Sequence, residues 1–169
     1  MRTVVLFILI LVNFTLQSVL FPNFAIMGVT PDTALILIIC YAILRGEIEG
    51  AIFGFVAGLV QDILFGPVIG VFALLGFLTG YICGKPFRDY FKNNYFLPFV
   101  VVVVVGLIYQ FVLYVGTVLF FGRLDIWLYM RTIIIPKTIY TASLSIPLYS
   151  LLHFINKRIE RFEEPLNEI

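Results

Sequence analysis

The segment GEIEGAIFGFVAGLVQDILFG, Gly46 to Gly66, decides the fold, because glycine recurs in it at every fourth position and an aspartate completes the series. The members of the series are Gly46, Gly50, Gly54, Gly58 and Asp62. In an α-helix of about 100° per residue, each step of four residues moves only about 40° around the axis. The series therefore forms one continuous stripe along a helix, with the aspartate beside the last glycine.

A second glycine series follows in the next apolar segment, at Gly76, Gly80 and Gly84. Nine of the thirteen glycines lie between positions 46 and 84, so the clustering is positional and not a compositional excess. Stripes of small residues let membrane helices approach closely, because close packing replaces the hydrophobic drive that lipid does not supply. The two stripes predict a tightly packed helical hairpin, with all seven stripe glycines at its helix contact.

The composition of the chain indicates a membrane protein. Of 169 residues, 62% are apolar and 12% are charged, whereas roughly 25% of the residues in a soluble domain are charged. The net charge of +1 gives no support for a nucleic acid partner. We interpret residues 1–169 as a single transmembrane domain. Cys40 and Cys83 fit buried hydrophobic positions, and no cluster of cysteine and histidine supports a metal or another cofactor.

The charged residues divide the chain into apolar segments that predict an all-α polytopic protein with about six transmembrane helices. The predicted spans are Thr3–Leu20, Thr33–Leu44, Gly50–Gln61, a fourth between the Gly66-Pro67 turn and Gly84, Asn93–Gly122, and Thr138–Asn156. The second and third are shorter than the roughly 20 residues that a span needs. We favour helices that extend past their charged flanks over a re-entrant hairpin, because Arg45 can reach the interface.

The basic residues set the predicted orientation. With a cytoplasmic N-terminus, eight basic residues lie inside and three outside, which favours a multi-pass protein with both termini in the cytoplasm. The outside residues are Arg123, Arg131 and Lys137. They lie in the segment RLDIWLYMRTIIIPK, which we interpret as a short helix on the membrane surface.

Two acids are expected near the outer end of the bundle, Asp32 before the second span and Asp62 at the end of the third. The Pro-Asp-Thr context of Asp32 favours the start of a helix. Asp62 continues the glycine stripe, so we expect it to point into the helix contact, where a charge needs a partner. We predict that Asp62 pairs with Lys137 or Arg131 and fixes the surface on which a periplasmic partner docks. The alternative is that Asp62 is only a hydrated helix end.

The segment PDTALILIICYAILRGEIEGAIFGFVAGLVQDILFG, Pro31 to Gly66, resembles the MreD family of rod shape-determining membrane proteins. The residues that carry the resemblance are Pro31, Asp32, Gly50, Gly54, Phe55, Gly58, Leu59 and Asp62, with Gly70, Gly76 and Gly80 further on. The resemblance implies a fold similar to the six-helix substrate-binding subunits of energy-coupling-factor vitamin transporters. It also implies a non-enzymatic protein of the bacterial inner membrane that associates with MreC and, through it, with MreB, RodA and the elongation transpeptidase. Association of the protein with further copies of itself, as a homo-oligomer, is an open alternative.

Other functions find less support in the residues. An enzyme is unsupported, because the single histidine, His153, lies near the end of the last span and no catalytic motif is present. An alternative interpretation is a substrate-binding subunit of a vitamin-type transporter, since such a subunit would share the fold. The polar residues that would line its pocket are Asn13, Gln17, Gln110, Tyr114 and Thr117. Hydrogen bonds between helices explain these residues better than a pocket does.

Overall fold

The computed structural model describes residues 2–19, 23, 25, 28–66, 69–85, 96–122 and 126–163. The helices are α1 Arg2–Val19, α2 Thr33–Arg45, α3 Glu47–Phe65, α4 Val71–Gly84, α5 Phe96–Phe121, α6 Ile126–Tyr129 and α7 Ile135–Glu163. A π-helical turn, Met130–Ile134, joins α6 to α7, so these elements run on as one helix. The described part of the chain therefore holds six helical segments, and the predicted all-α membrane fold is confirmed.

Three of the described helices are long and apolar enough to cross a membrane, over Glu47–Phe65, Phe99–Gly116 and Ile126–Ile155. In contrast, α2 has 13 residues and α4 has 14. At about 1.5 Å per residue each is roughly 20 Å long, against a hydrocarbon core of about 30 Å. The helices do extend past their charged flanks, since α2 includes Arg45 and α3 begins at Glu47. Even so, α2 is too short for a full crossing.

Both short helices finish at one end of the bundle, which we call the Lys85 end. Gly46 alone separates α2 from α3, and Gly84 at the end of α4 packs on the backbone of Gly46 and Glu47. Because α2 and α4 finish together there, both begin about 20 Å away, a distance shorter than the roughly 30 Å hydrocarbon core of a membrane. The first N–H groups of both helices must therefore find partners within the protein.

The centre of the bundle is α2. Every residue from Thr33 to Ile43 is buried, and α1, α3, α4, α5 and α7 pack around this helix. The sequence TALILIICYAI is apolar on all sides, which is the pattern of a fully buried helix. The core continues into buried side chains of the surrounding helices, such as Phe14, Phe53 and Tyr109.

The most extensive helix contact joins α3 to α4. We call it the glycine interface, and its members are Gly50, Gly54, Gly58, Gly76, Gly80 and Gly84. A Cβ atom built on Gly54 would collide with the carbonyl oxygen of Gly76, and a Cβ atom on Gly76 would collide with the carbonyl oxygen of Gly54. A Cβ atom on Gly80 would meet the carbonyl oxygen of Gly50 in the same way. The two backbones therefore touch, in a geometry that allows Cα–H···O contacts worth about 0.5–1 kcal/mol each.

Gly46 departs from the predicted stripe. It links α2 to α3 with a φ of +101°, a conformation that residues with a side chain rarely adopt. A Cβ atom on Gly46 would meet nothing within 4 Å. Gly46 is therefore required by the turn, and not by close packing of its own Cα against α4.

The last helix also departs from the prediction. It begins at Ile126 and not at Thr138, so most of the segment predicted as a separate surface helix belongs to it. The start of the last helix was predicted from the positions of the charged residues. That boundary is wrong because Arg131 and Lys137 lie on the helix itself. Pro136 lacks the N–H that an uninterrupted α-helix would use, and the π-helical turn ends two residues before it, at Ile134.

Candidate functional site

Asp32 closes the start of α2, as its sequence context predicted. It is the N-cap residue, and its Oδ1 accepts a hydrogen bond from Leu35 N at 3.1 Å. The Asp32 N–H donates to Thr141 Oγ1 of α7 at 3.0 Å, and Asp32 is only 1% exposed. Asp32 therefore caps its own helix and ties it to α7.

Lys137 adds a charge to the contact between α2 and α7. Its Nζ lies 3.9 Å from Asp32 Oδ2, and its side chain is 23% exposed. Lys137 and Thr141 are four residues apart on one helix, so both lie on the same helix face. Asp32 meets Lys137 through its carboxylate and Thr141 through its backbone.

Asp62 closes the start of α4 from the neighbouring helix. Its Oδ1 accepts a hydrogen bond from Phe72 N at 3.0 Å, and its Oδ2 accepts one from Ala73 N at 2.8 Å. The N-cap residue of α4 is Gly70, which has no side chain to accept these bonds. Phe72 and Ala73 are the second and third residues of α4, whose N–H groups an N-cap side chain ordinarily serves. Asp62 thus caps the neighbouring helix α4 from α3, whereas Asp32 caps its own helix, α2.

Each carboxylate is matched by the helix that it caps. The start of an α-helix carries about half a positive charge, and its first N–H groups have no partner within the helix. A lone aspartate and an open helix start would each be costly inside a membrane. Together they compensate each other, since a hydrogen bond to a charged group contributes about 1.5–3 kcal/mol. The glycine interface makes this contact possible, because Gly58 packs directly on Phe72 and Ala73.

The predicted pairing of Asp62 with Lys137 or Arg131 is wrong. Both Asp62 oxygens accept hydrogen bonds from the backbone of α4, and Lys137 lies beside Asp32 instead. Arg131 is exposed on the π-helical turn. Only side chains of opposite charge can be recognised in the sequence as partners for Asp62. The backbone N–H groups of α4 cannot, because they depend on where that helix begins. Thr141 shares a helix face with Lys137 by its spacing, but the spacing does not say what that face contacts.

Further polar side chains are buried around the two aspartates. They come from α2, α3, α5 and α7, and they are Thr33, Gln61, Gln110 and Thr138, each at most 4% exposed. Tyr109 of α5 is 3% exposed and lies within Coulombic range of both aspartates. Among the described residues, no hydrogen-bond partner is found for Asp32 Oδ2, Thr33 Oγ1, Gln61 Oε1 or Thr138 Oγ1. We call the two aspartates, Lys137, Thr141 and these residues the polar cluster.

The residues proposed to line a transporter pocket do not meet in a described cavity. Asn13, Gln110 and Tyr114 are buried, Gln17 is half-buried, and the side chain of Thr117 lies outside the described part. A groove of about 570 Å³ runs along the outward face of α3 and α4, and only apolar residues and glycine line it. None of the polar residues just named contributes to that groove.

The possible metal ligands among the described residues are dispersed. Within them, no group of three or more histidine, cysteine, aspartate or glutamate side chains lies close enough to hold a metal ion. Cys40 and Cys83 are buried free thiols, as predicted. His153 is exposed and stacks on Tyr149 of its own helix, with ring centroids 6.1 Å apart.

The comparisons with known proteins agree with this membrane architecture. The family model described as rod shape-determining protein MreD matches residues 1–158 of the chain. No curated protein and no solved structure matches it. Because the family match covers nearly all of the 169 residues, the chain belongs to the MreD family of rod shape-determining membrane proteins.

Proposed function

We propose that this protein is a non-enzymatic scaffold of the bacterial cell-elongation machinery in the inner membrane. It binds MreC and, through MreC, helps to organise MreB, RodA and the elongation transpeptidase for peptidoglycan synthesis. The observation that carries the proposal, beside the family match, is the use of Asp62. Both of its oxygens are bound by backbone N–H groups, which suits a structural carboxylate better than a proton-transferring one.

The surface proposed for MreC lies opposite the Lys85 end. Asp32 at the start of α2 contacts Thr141, so the residues that precede Thr141 on the last helix extend beyond the start of α2. This end exposes large apolar side chains and one cation, which together we call the Trp127 surface: Ile69, Ile126, Trp127, Leu128 and Arg131. Trp127 is 76% exposed and Ile69 is 75% exposed. The two capping aspartates hold the helices that carry this surface.

The binding proposal is tested by capture of MreC on immobilised protein variants. Trp127→Ala is expected to lower MreC capture several-fold, because exposed tryptophans contribute strongly to interfaces. The matched control is Ile82→Ala, which changes an exposed apolar residue near the Lys85 end, 60% exposed. Equal capture by both variants and the unchanged protein would assign the Trp127 surface to lipid and remove it from the proposal.

The proposed orientation, with both termini in the cytoplasm, is tested by labelling single introduced cysteines from outside the cell. Trp127→Cys is expected to react with a membrane-impermeant maleimide, whereas Lys85→Cys is expected to react only after the membrane is opened. Both positions are exposed, and the native Cys40 and Cys83 are buried. Reaction at Lys85→Cys in intact cells, without reaction at Trp127→Cys, would invert the orientation.

A further inference from the structure

Asp32 and Lys137 face each other without forming a hydrogen bond. The 3.9 Å between Asp32 Oδ2 and Lys137 Nζ exceeds the 2.7–2.9 Å typical of a charge-assisted hydrogen bond. Asp32 Oδ2 accepts no hydrogen bond from any described residue, although Asp32 is 1% exposed. Lys137 likewise donates none to the residues that the structure describes. The carboxylate oxygen Oδ2 of Asp32 and the ammonium of Lys137 thus face each other, and neither forms a hydrogen bond with a described residue.

Two hydroxyl groups next to this pair are also unpartnered. Thr33 follows Asp32 at the start of α2, and Thr138 follows Lys137 on α7. Their Oγ1 atoms have no hydrogen-bond partner among the described residues, and the two residues are 2% and 4% exposed. Buried polar groups in a membrane protein are costly unless they are hydrogen-bonded. The residues that follow Asp32 and Lys137 in sequence thus each add an unpartnered buried hydroxyl, one from α2 and one from α7.

We infer that a hydroxyl group binds between Asp32 Oδ2 and Lys137 Nζ, donating to the carboxylate and accepting from the ammonium. A hydroxyl offers a donor and an acceptor on one atom, whereas the ammonium can only donate and the carboxylate can only accept. An anion in this position would be repelled by Asp32, and a cation by Lys137. The side chain of Lys137 is 23% exposed, so the pair is not fully enclosed by described residues. The hydroxyl belongs either to water or to a small molecule.

The first test compares two buried tyrosines of the unchanged protein by X-ray hydroxyl-radical labelling. Radicals form where water is, so a buried ring is oxidised readily only if a water molecule lies beside it. Tyr109 and Tyr149 are each 3% exposed, and Tyr109 is electrostatically coupled to Asp32, whereas Tyr149 follows Lys137 by twelve residues on α7, about 18 Å along the helix. A bound water makes the labelling of Tyr109 several-fold faster than that of Tyr149. Native mass spectrometry of gently extracted protein is run alongside, because a bound small molecule appears there as a mass adduct.

The second test repeats both measurements on Lys137→Met, which removes the ammonium and keeps the apolar stem. The proposal requires that the excess labelling of Tyr109, or the adduct, is lost in this variant. Ser143→Ala is the control, since Ser143 is exposed and bonds only to Ile139 O of its own helix. Equal labelling of the two tyrosines without an adduct in the unchanged protein would overturn the proposal, whether or not the variant folds. A signal that persists in Lys137→Met would overturn it as well.

Discussion

The starts of α2 and α4 present the same physical problem with two different solutions. Both helices begin about 20 Å from the Lys85 end, and at both the first N–H groups donate to a buried carboxylate. At α2 the cap is its own N-cap residue, Asp32, and the contact spans three positions of sequence. At α4 the N-cap is a glycine, and Asp62 reaches across from α3. A local cap forms with its helix, whereas the second cap exists only when two helices are already packed.

The two aspartates also differ in how completely they are bound. Asp62 uses both oxygens on backbone N–H groups. Asp32 uses one oxygen on its own helix and turns the other toward Lys137 without a direct hydrogen bond. Both oxygens of Asp62 are therefore occupied by structural hydrogen bonds, while Oδ2 of Asp32 can still accept a hydrogen bond from a ligand. We expect mutations to separate these roles.

The largest effect is expected from Gly54→Leu, which tests whether the cap of α4 depends on the glycine interface. The new side chain would collide with the carbonyl of Gly76, so α3 and α4 must separate and withdraw Asp62 from α4. We expect a loss of about 3 kcal/mol in the free energy of unfolding in mixed detergent micelles, because the collision is with backbone and not with a movable side chain. Hydrogen exchange at the Phe72 and Ala73 amides should accelerate, while exchange at Leu35 in α2 changes less.

The matched control for that experiment is Ile52→Leu, on the same helix but 60% exposed and outside the glycine interface. We expect this variant to unfold like the unchanged protein. Equal stability of Gly54→Leu and Ile52→Leu would show that α3 and α4 do not need backbone contact, and the comparison of the two caps would lose its basis.

The next largest effect is expected from Asp62→Asn. Asparagine offers one acceptor oxygen in place of two charged ones, so one of the two α4 N–H groups loses its partner. We expect unfolding to become easier by about 2–3 kcal/mol, because hydrogen bonds to a charged acceptor are lost in a buried site. Capture of MreC should fall more than it does with Asp32→Asn. Unchanged stability and unchanged capture would reduce Asp62 to a hydrated helix end.

A smaller effect is expected from Asp32→Asn. Asparagine caps a helix as well as aspartate does, so only the attraction to Lys137, whose side chain is 23% exposed, is lost, worth about 1 kcal/mol or less. Asp32→Ala removes the cap as well and should cost about 1 kcal/mol more in unfolding free energy. If both substitutions destabilise equally, the charge of Asp32 matters more than its cap, and the two helix starts are less alike than their geometry indicates.

No measurable effect is expected from Lys85→Met. Lys85 Nζ lies 3.9 Å from Glu47 Oε2, the same separation as in the Lys137–Asp32 pair. However, the side chains of Lys85 and Glu47 are 61% and 36% exposed, and solvent-exposed pairs contribute little. Unfolding in mixed micelles at low and high salt checks this. A clear loss of stability would mean that burial does not distinguish the two ends of the bundle.

Periodicity and local context made several features predictable. The spacing of the glycines predicted which residues face each other between α3 and α4, because that spacing matches the turn of a helix. The context of Asp32 predicted its cap, because an N-cap and the N–H that it serves are only three residues apart. The role of Gly46 was mistaken, because a glycine that continues a stripe and a glycine that ends a helix look alike in sequence.

What the sequence by itself determined is the membrane class, the number of helical segments and the glycine stripes, all of which depend on composition or on neighbours within one helix. Only the tertiary structure decided that α4 begins beside Asp62, that Lys137 faces Asp32, and that Thr141 binds the start of α2. These contacts join residues on different helices, and their partners are set by the depth and rotation at which the helices pack. Charge alone could not identify the partner of Asp62, because backbone N–H groups bind the carboxylate and every residue except proline has one.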